Sequence, residues 1–163
     1  MQLPTYLALA VALGACGKSD AHDDRPDNGE RAYVDGELAK LTTAISANRE
    51  SDMVIGCVSV RTSRKRMPPE VVAKIDQLCD LDVPRRLFEN AIAGAKTDLA
   101  KAPPEMKELG CMQLMVSDAY DALARHTPPD PELAKLAAGY AELCPEAAAK
   151  AQAKATAKAA RSE

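Results

Sequence analysis

The chain has 163 residues, of which 47% are hydrophobic and 28% charged, with a formal net charge of −3. That length suits one domain with additional ends, and neither the charge nor a pI of about 5.5 supplies the basic footprint that nucleic-acid binding requires. With one Phe and no Trp, large apolar side chains are scarce, so each residue buries little area and cross-links between the five Cys matter more.

Residues 1–15 contain a short apolar run, Leu7 to Leu13, well under the ~20 residues of a membrane-spanning helix. The run closes on Leu13-Gly14-Ala15-Cys16, which resembles the lipobox of bacterial lipoproteins. The resemblance covers only the leader and Cys16. It implies a signal peptide over 1–15, cleavage before Cys16, a diacylglycerol on the Cys16 thiol and a fatty acyl group such as palmitate on the new amino terminus. Gly17 after the cysteine is similar to lipoproteins passed on to the outer membrane, so the expected place is the bacterial cell envelope, lipid-anchored there, with the domain periplasmic or surface-exposed. The alternative is an ordinary secretory leader cut after Ala10-Val11-Ala12. Such cleavage leaves five cysteines in an oxidising compartment, one unpaired, whereas lipidation of Cys16 leaves an even four.

Residues 16–30 are polar and lack apolar period, as expected of a lipidated cysteine followed by a flexible tether. His22-Asp23-Asp24 within it is read as solvated linker rather than a metal site. The helical domain is expected over 31–144. Val34, Leu38, Leu41 and Ile45 form one helical stripe. Residues 52–66 are ambiguous, because Val58-Ser59-Val60-Arg61-Thr62 alternates like a strand; helix is preferred, since no second strand candidate exists to pair with it. Within this segment Arg61, Arg64, Lys65 and Arg66 form a basic cluster. It is either a contact for an anionic lipid headgroup, envelope polymer or acidic partner, or a solvated helix end.

Val71, Val72, Ile75, Leu78 and Cys79 give the next arm an apolar side, and Asp82-Val83-Pro84 reads as the opening of a new helix with Leu87, Phe88, Ala91, Ile92, Ala95 and Leu99 inward. A long helix is expected from Glu105 to about Arg125, and Asp130-Pro131-Glu132 is a capping Asp before a first-turn Pro. Residues 145–163 are an Ala- and Lys-rich tail, expected as a frayed helix in which Lys150, Lys154 and Lys158 share a face without acidic partners. It either solubilises the chain or touches an anionic envelope polymer.

Four cysteines fall at the ends of two similar stretches: Cys57 to Leu78-Cys79 around Pro68-Pro69, and Cys111 to Leu143-Cys144 around Pro128-Pro129. Each reads as helix, turn, helix, which suggests two duplicated helical hairpins. A disulfide across such a pair needs equal heights above the turn, and at ~1.5 Å per residue the arms differ by only ~1.5 to 3 Å. The predicted pairs are therefore Cys57–Cys79 and Cys111–Cys144, and the fold class is all-α, a disulfide-pinned bundle of about six helices.

No catalytic constellation is legible. The sequence lacks Gly-x-Ser-x-Gly, His-Glu-x-x-His, a Gly-rich phosphate loop and Cys-x-x-Cys, so neither catalytic residues nor a cofactor is predicted. The same lack of Cys-x-x-Cys spacing argues against structural zinc, and Met106, Met112 and Met115 beside Cys111 are read as core rather than a copper site. Asp118 and Asp121, three apart, are expected to be solvated, and His126 to be a helix-end cation. The reading is a non-catalytic envelope lipoprotein, an interaction or structural module on the outer membrane. The alternative is a periplasmic helical lipoprotein that binds a small ligand or metal.

Overall fold

The structure, a computed structural model, describes residues 28–103, 111 and 115–161. Cys16, the leader and Met106, Met112 lie outside the described residues. All regular structure among the described residues is helical: α1 (Asn28–Ser46), α2 (Glu50–Ser63), α3 (Pro69–Asp76), α4 (Val83–Lys101), α5 (Val116–Ala124), α6 (Pro131–Leu143) and α7 (Pro145–Ala159). A 3-10 turn covers Arg64–Arg66 and a π-helical turn covers Gln77–Asp82. Among the described residues no helix is long and apolar enough to cross a membrane.

The β-branched segment is helix, as expected. Met53, Gly56, Cys57 and Val60 are buried at helical spacing, and burial of that stripe outweighs the strand preference of its valines. Two boundaries differ from expectation. Helix α1 begins at Asn28, inside the stretch assigned to the tether. It ends in a Schellman motif: Asn48 takes φ 56°, its N–H donates to the Ile45 carbonyl at 3.2 Å, and the Arg49 N–H donates to the Ala44 carbonyl at 2.9 Å.

The second difference lies at Asp82-Val83-Pro84, where α4 opens at Val83 with Pro84 in its first turn, but without a break from the helical turn before it. Asp82 is itself helical (φ −71°, ψ −45°), and the chain runs from α3 through the π turn into α4 without a break. Pro84 lacks an N–H and its ring crowds the carbonyl four residues back, that of Asp80; a widened turn accommodates both demands. The same turn carries Cys79 to Cys57.

Both predicted disulfides are present, with Cα–Cα separations of 5.4 Å for Cys57–Cys79 and 5.5 Å for Cys111–Cys144. The arms they join are not tight hairpins, however. Helix α2 packs chiefly on α1, α4 packs on both α5 and α6, and α5 packs on α7. Among the described residues α2 leans on α1 more than on α3, and α5 leans on α4 and α7 more than on α6. One core unites them, with Leu38, Leu41, Met53 and Ile75 at one end and Phe88, Tyr120, Leu133 and Tyr140 at the other. The Phe88 and Tyr120 rings meet edge to face at 5.1 Å. The buried hydroxyls are satisfied: Tyr120 donates to the Ala137 carbonyl and Tyr140 to the Cys111 carbonyl. Burial pushes the Tyr120 hydroxyl up to about 12, with Tyr140 adding to it.

Helix α7 is the largest departure. The Ala- and Lys-rich segment is helical as expected but is packed, with Ala148, Ala151 and Ala155 buried. An alanine every third or fourth position lets α7 approach α5 closely, so a stripe of small side chains substitutes for larger apolar ones.

Candidate functional site

Three places bring chemically distinctive side chains together. The first is centred on Asp80, in the π turn. Arg61 on α2 donates to the Asp80 carboxylate and, at 2.8 Å, to the Cys79 carbonyl. Arg125, at the end of α5, donates to the same oxygen of Asp80 at 3.2 Å, and His126 Nε2 lies 3.8 Å from the other oxygen. Residues from both halves of the chain thus converge on one carboxylate. Burial, and next the neighbouring Arg125, pull the Arg61 pKa down from its ordinary value, offset in part by Asp80.

The basic cluster expected as a contact surface is largely engaged within the chain. Besides Arg61 with Asp80, Arg64 makes a two-pronged pair with Asp76 at 2.7 and 2.6 Å, and Arg66 reaches Glu30 at 2.6 Å. The Arg64 pair holds the Asp76 carboxyl below its usual range. Lys65 is exposed in the 3-10 turn. The acidic partners come from 12 to 36 positions away in sequence, so residue types alone did not reveal them.

The second place is the α5–α7 interface. Asp121 is only 8% exposed, against the expectation that it is solvated. Its Oδ2 accepts from Lys158 Nζ at 2.5 Å, while Oδ1 is buried without a hydrogen-bond partner. Lys158 thus pairs with an acidic side chain of α5. Asp118, one turn before Asp121, is partly buried, and burial followed by the Asp121 charge raises its pKa, with Lys158 and Lys154 opposing. Among the described residues no group of three or more His, Cys, Asp or Glu is placed to hold a metal ion. The sulfurs of Cys57, Cys79, Cys111 and Cys144 are all committed to disulfides, and Met115 packs against the core.

The third place is a surface. Tyr33, Ile55 and Val58 are 52%, 65% and 61% exposed, the large apolar side chains that stand in solvent among the described residues. The Tyr33 hydroxyl and Ser59 Oγ are 2.7 Å apart, which ties the α1 side chain to the outer side of α2. The sequence reading placed Ile55 and Val58 on a helix without marking them as exposed, because a β-branched run gives no cue to which side faces out.

No family model, no curated protein and no solved structure matches the chain.

Proposed function

We propose that the chain is a non-catalytic, lipid-anchored lipoprotein of the bacterial cell envelope, held to the outer membrane through Cys16, whose helical domain serves as a protein-interaction module. The observation that carries this reading is the exposed face of Tyr33, Ile55 and Val58. Exposed apolar side chains grouped on one face mark a contact, whereas isolated ones need no explanation. The pair of disulfides supports an oxidising compartment, and Cys16 is the odd cysteine that a lipid would occupy. Native mass spectrometry of the protein extracted from its own membranes tests it. The expected spectrum carries the acyl mass on Cys16 and at least one further polypeptide chain in fixed ratio; an unmodified, unaccompanied chain sinks the proposal.

A second reading, a periplasmic binder of a small ligand or metal, draws on the unpartnered Oδ1 of Asp121 beside Asp118. A bound cation or hydrogen-bond donor would satisfy that oxygen. Ligand binding to the folded state raises the melting temperature, so a scan across divalent cations and small amines that leaves it unchanged removes this alternative.

A further inference from the structure

We propose that α7 is a hinged strap. Fixed at its start by the Cys111–Cys144 cystine and latched toward its far end by Lys158 on Asp121, it comes off α5 as a unit while the other helices stay folded.

The hinge is one residue long. Helix α6 ends at Leu143 and α7 begins at Pro145, and Cys144 between them is non-helical at φ −134° and ψ 64°. Pro145 has no N–H, so the α6 ladder does not continue into α7 and the two helices turn relative to each other about Cys144. The cystine ties that residue to Cys111, which precedes α5 in the chain. Helices α5 and α7 therefore set out from one covalent point and run side by side.

Little apolar surface holds α7 down. Its inward side is Ala148, Ala151 and Ala155, with Ala147 partly buried. A buried methyl group removes far less area from water than a leucine or phenylalanine side chain. The large side chains of the neighbouring core come from other elements: Phe88 from α4, Tyr120 from α5, Leu133 and Tyr140 from α6. The hydroxyl bonds of Tyr120 to the Ala137 carbonyl and of Tyr140 to the Cys111 carbonyl do not pass through α7 either. Opening the strap thus leaves α4, α5 and α6 joined.

The side of α5 beneath the strap works against closure. Asp121 is 8% exposed, and its Oδ1 is buried without a hydrogen-bond partner. Asp118, one turn earlier, is partly buried; burial and the Asp121 charge raise its pKa, while Lys158 and Lys154 on α7 and Arg125 on α5 oppose this. Closing α7 takes two carboxylates out of water, and opening returns both to solvent. Lys158, 64% exposed, offsets that cost in part. Methyl groups and an exposed lysine set against two poorly solvated carboxylates leave the interface near balance, so α7 opens well below the free energy of global unfolding. Opening also bares the Asp118–Asp121 side of α5, so the strap governs access to it.

Hydrogen exchange of the full-length chain, read by mass spectrometry over a series of low urea concentrations, tests the strap. A detached helix of 15 residues is marginal in water, so opening exposes its amides. After correction for intrinsic rates, α7 is expected to exchange more than about tenfold faster than α4 and α6, through an opening that urea barely accelerates. Lys158→Met is expected to speed exchange about tenfold along all of α7, Ala148 and Ala151 included, and to leave α4 and α6 unchanged. Lys158→Arg should restore the original rate, and Asp118→Asn should slow exchange in α7 alone. Exchange of α7 in step with α4 and α6, or acceleration of all helices alike by Lys158→Met, overturns the proposal, since α7 then opens only with the whole domain. So does an effect of Lys158→Met confined to the last turn, which is fraying rather than release.

Discussion

At the scale of single residues, Asp121 concentrates the cost of the fold. A carboxylate at 8% exposure with one oxygen unpartnered is tolerated because Lys158 neutralises the other. Lys158→Met strands that charge and is expected to destabilise the protein by about 1 to 2 kcal/mol, less than the ~3 to 5 of a fully buried pair, because the lysine is 64% exposed. Adding Asp121→Leu should recover part of the loss, a non-additivity that urea melts of the single and double variants will measure. Asp118 predicts a pH effect of defined sign. Its pKa is raised on folding, so the folded state holds its proton at higher pH than the unfolded chain. The resulting penalty is fully present above the raised pKa and vanishes below the ordinary one. Asp118→Asn should therefore raise the melting temperature at pH 7 and have little such effect near pH 3. Asp76 has the opposite sign: Arg64 lowers its pKa, and the stability it contributes is lost as pH falls through the depressed value. The three-residue spacing of Asp118 and Asp121 was legible in the sequence, but their burial was not. It depends on α7 docking through alanines, whose weak hydrophobic signal reads as a solvated tail.

At the scale of elements, two glycines in adjacent helices separate propensity from packing. A Cβ added at Gly36, on the exposed side of α1, meets nothing within 4 Å; one added at Gly56 meets Leu41 Cδ1 at 3.2 Å. Gly36→Ala should stabilise by about 1 kcal/mol, the ordinary helix-propensity gain. Gly56→Ala receives the same gain but must move Leu41, which is 1% exposed in the α1–α2 core. Overpacking of ~1 to 3 kcal/mol outweighs it, so the net change should be destabilising. Thermal denaturation of the two variants side by side decides this; equal stabilisation would mean that Leu41 has room to yield. Element ends were legible where a cap has a chemical signature. Asp130 accepts from the N–H groups of Glu132 and Leu133 at 3.0 Å, as its place before Pro131 suggested. The π turn was not legible, since one extra residue in a turn leaves no mark in composition. Pro84 was its only trace and read more naturally as a helix start.

At the scale of the whole molecule, the disulfides were readable because their pairing depends on arm lengths that the sequence states outright, whereas which helix packs on which was not. Cys57 and Cys79 lie 22 positions apart in sequence, and Cys111 and Cys144 lie 33 apart. Closing loops of that size removes unfolded-state entropy equivalent to about 3 to 4 kcal/mol each. Against a typical total stability of ~5 to 15 kcal/mol, loss of both leaves a domain with one Phe and an alanine-lined interface near the edge of folding. Replacing either cystine by paired Ala should lower stability by about 3 to 4 kcal/mol in urea denaturation. Replacing both should leave the chain largely unfolded at 37 °C, with the loss of sharp side-chain NMR signals as the readout. The halves are coupled through Asp80, which accepts from Arg61 of the first and Arg125 of the second, and through one continuous core. Each single-cystine variant should therefore melt in one cooperative transition rather than two. Separate transitions for the two halves would show that each cystine stabilises its own half alone.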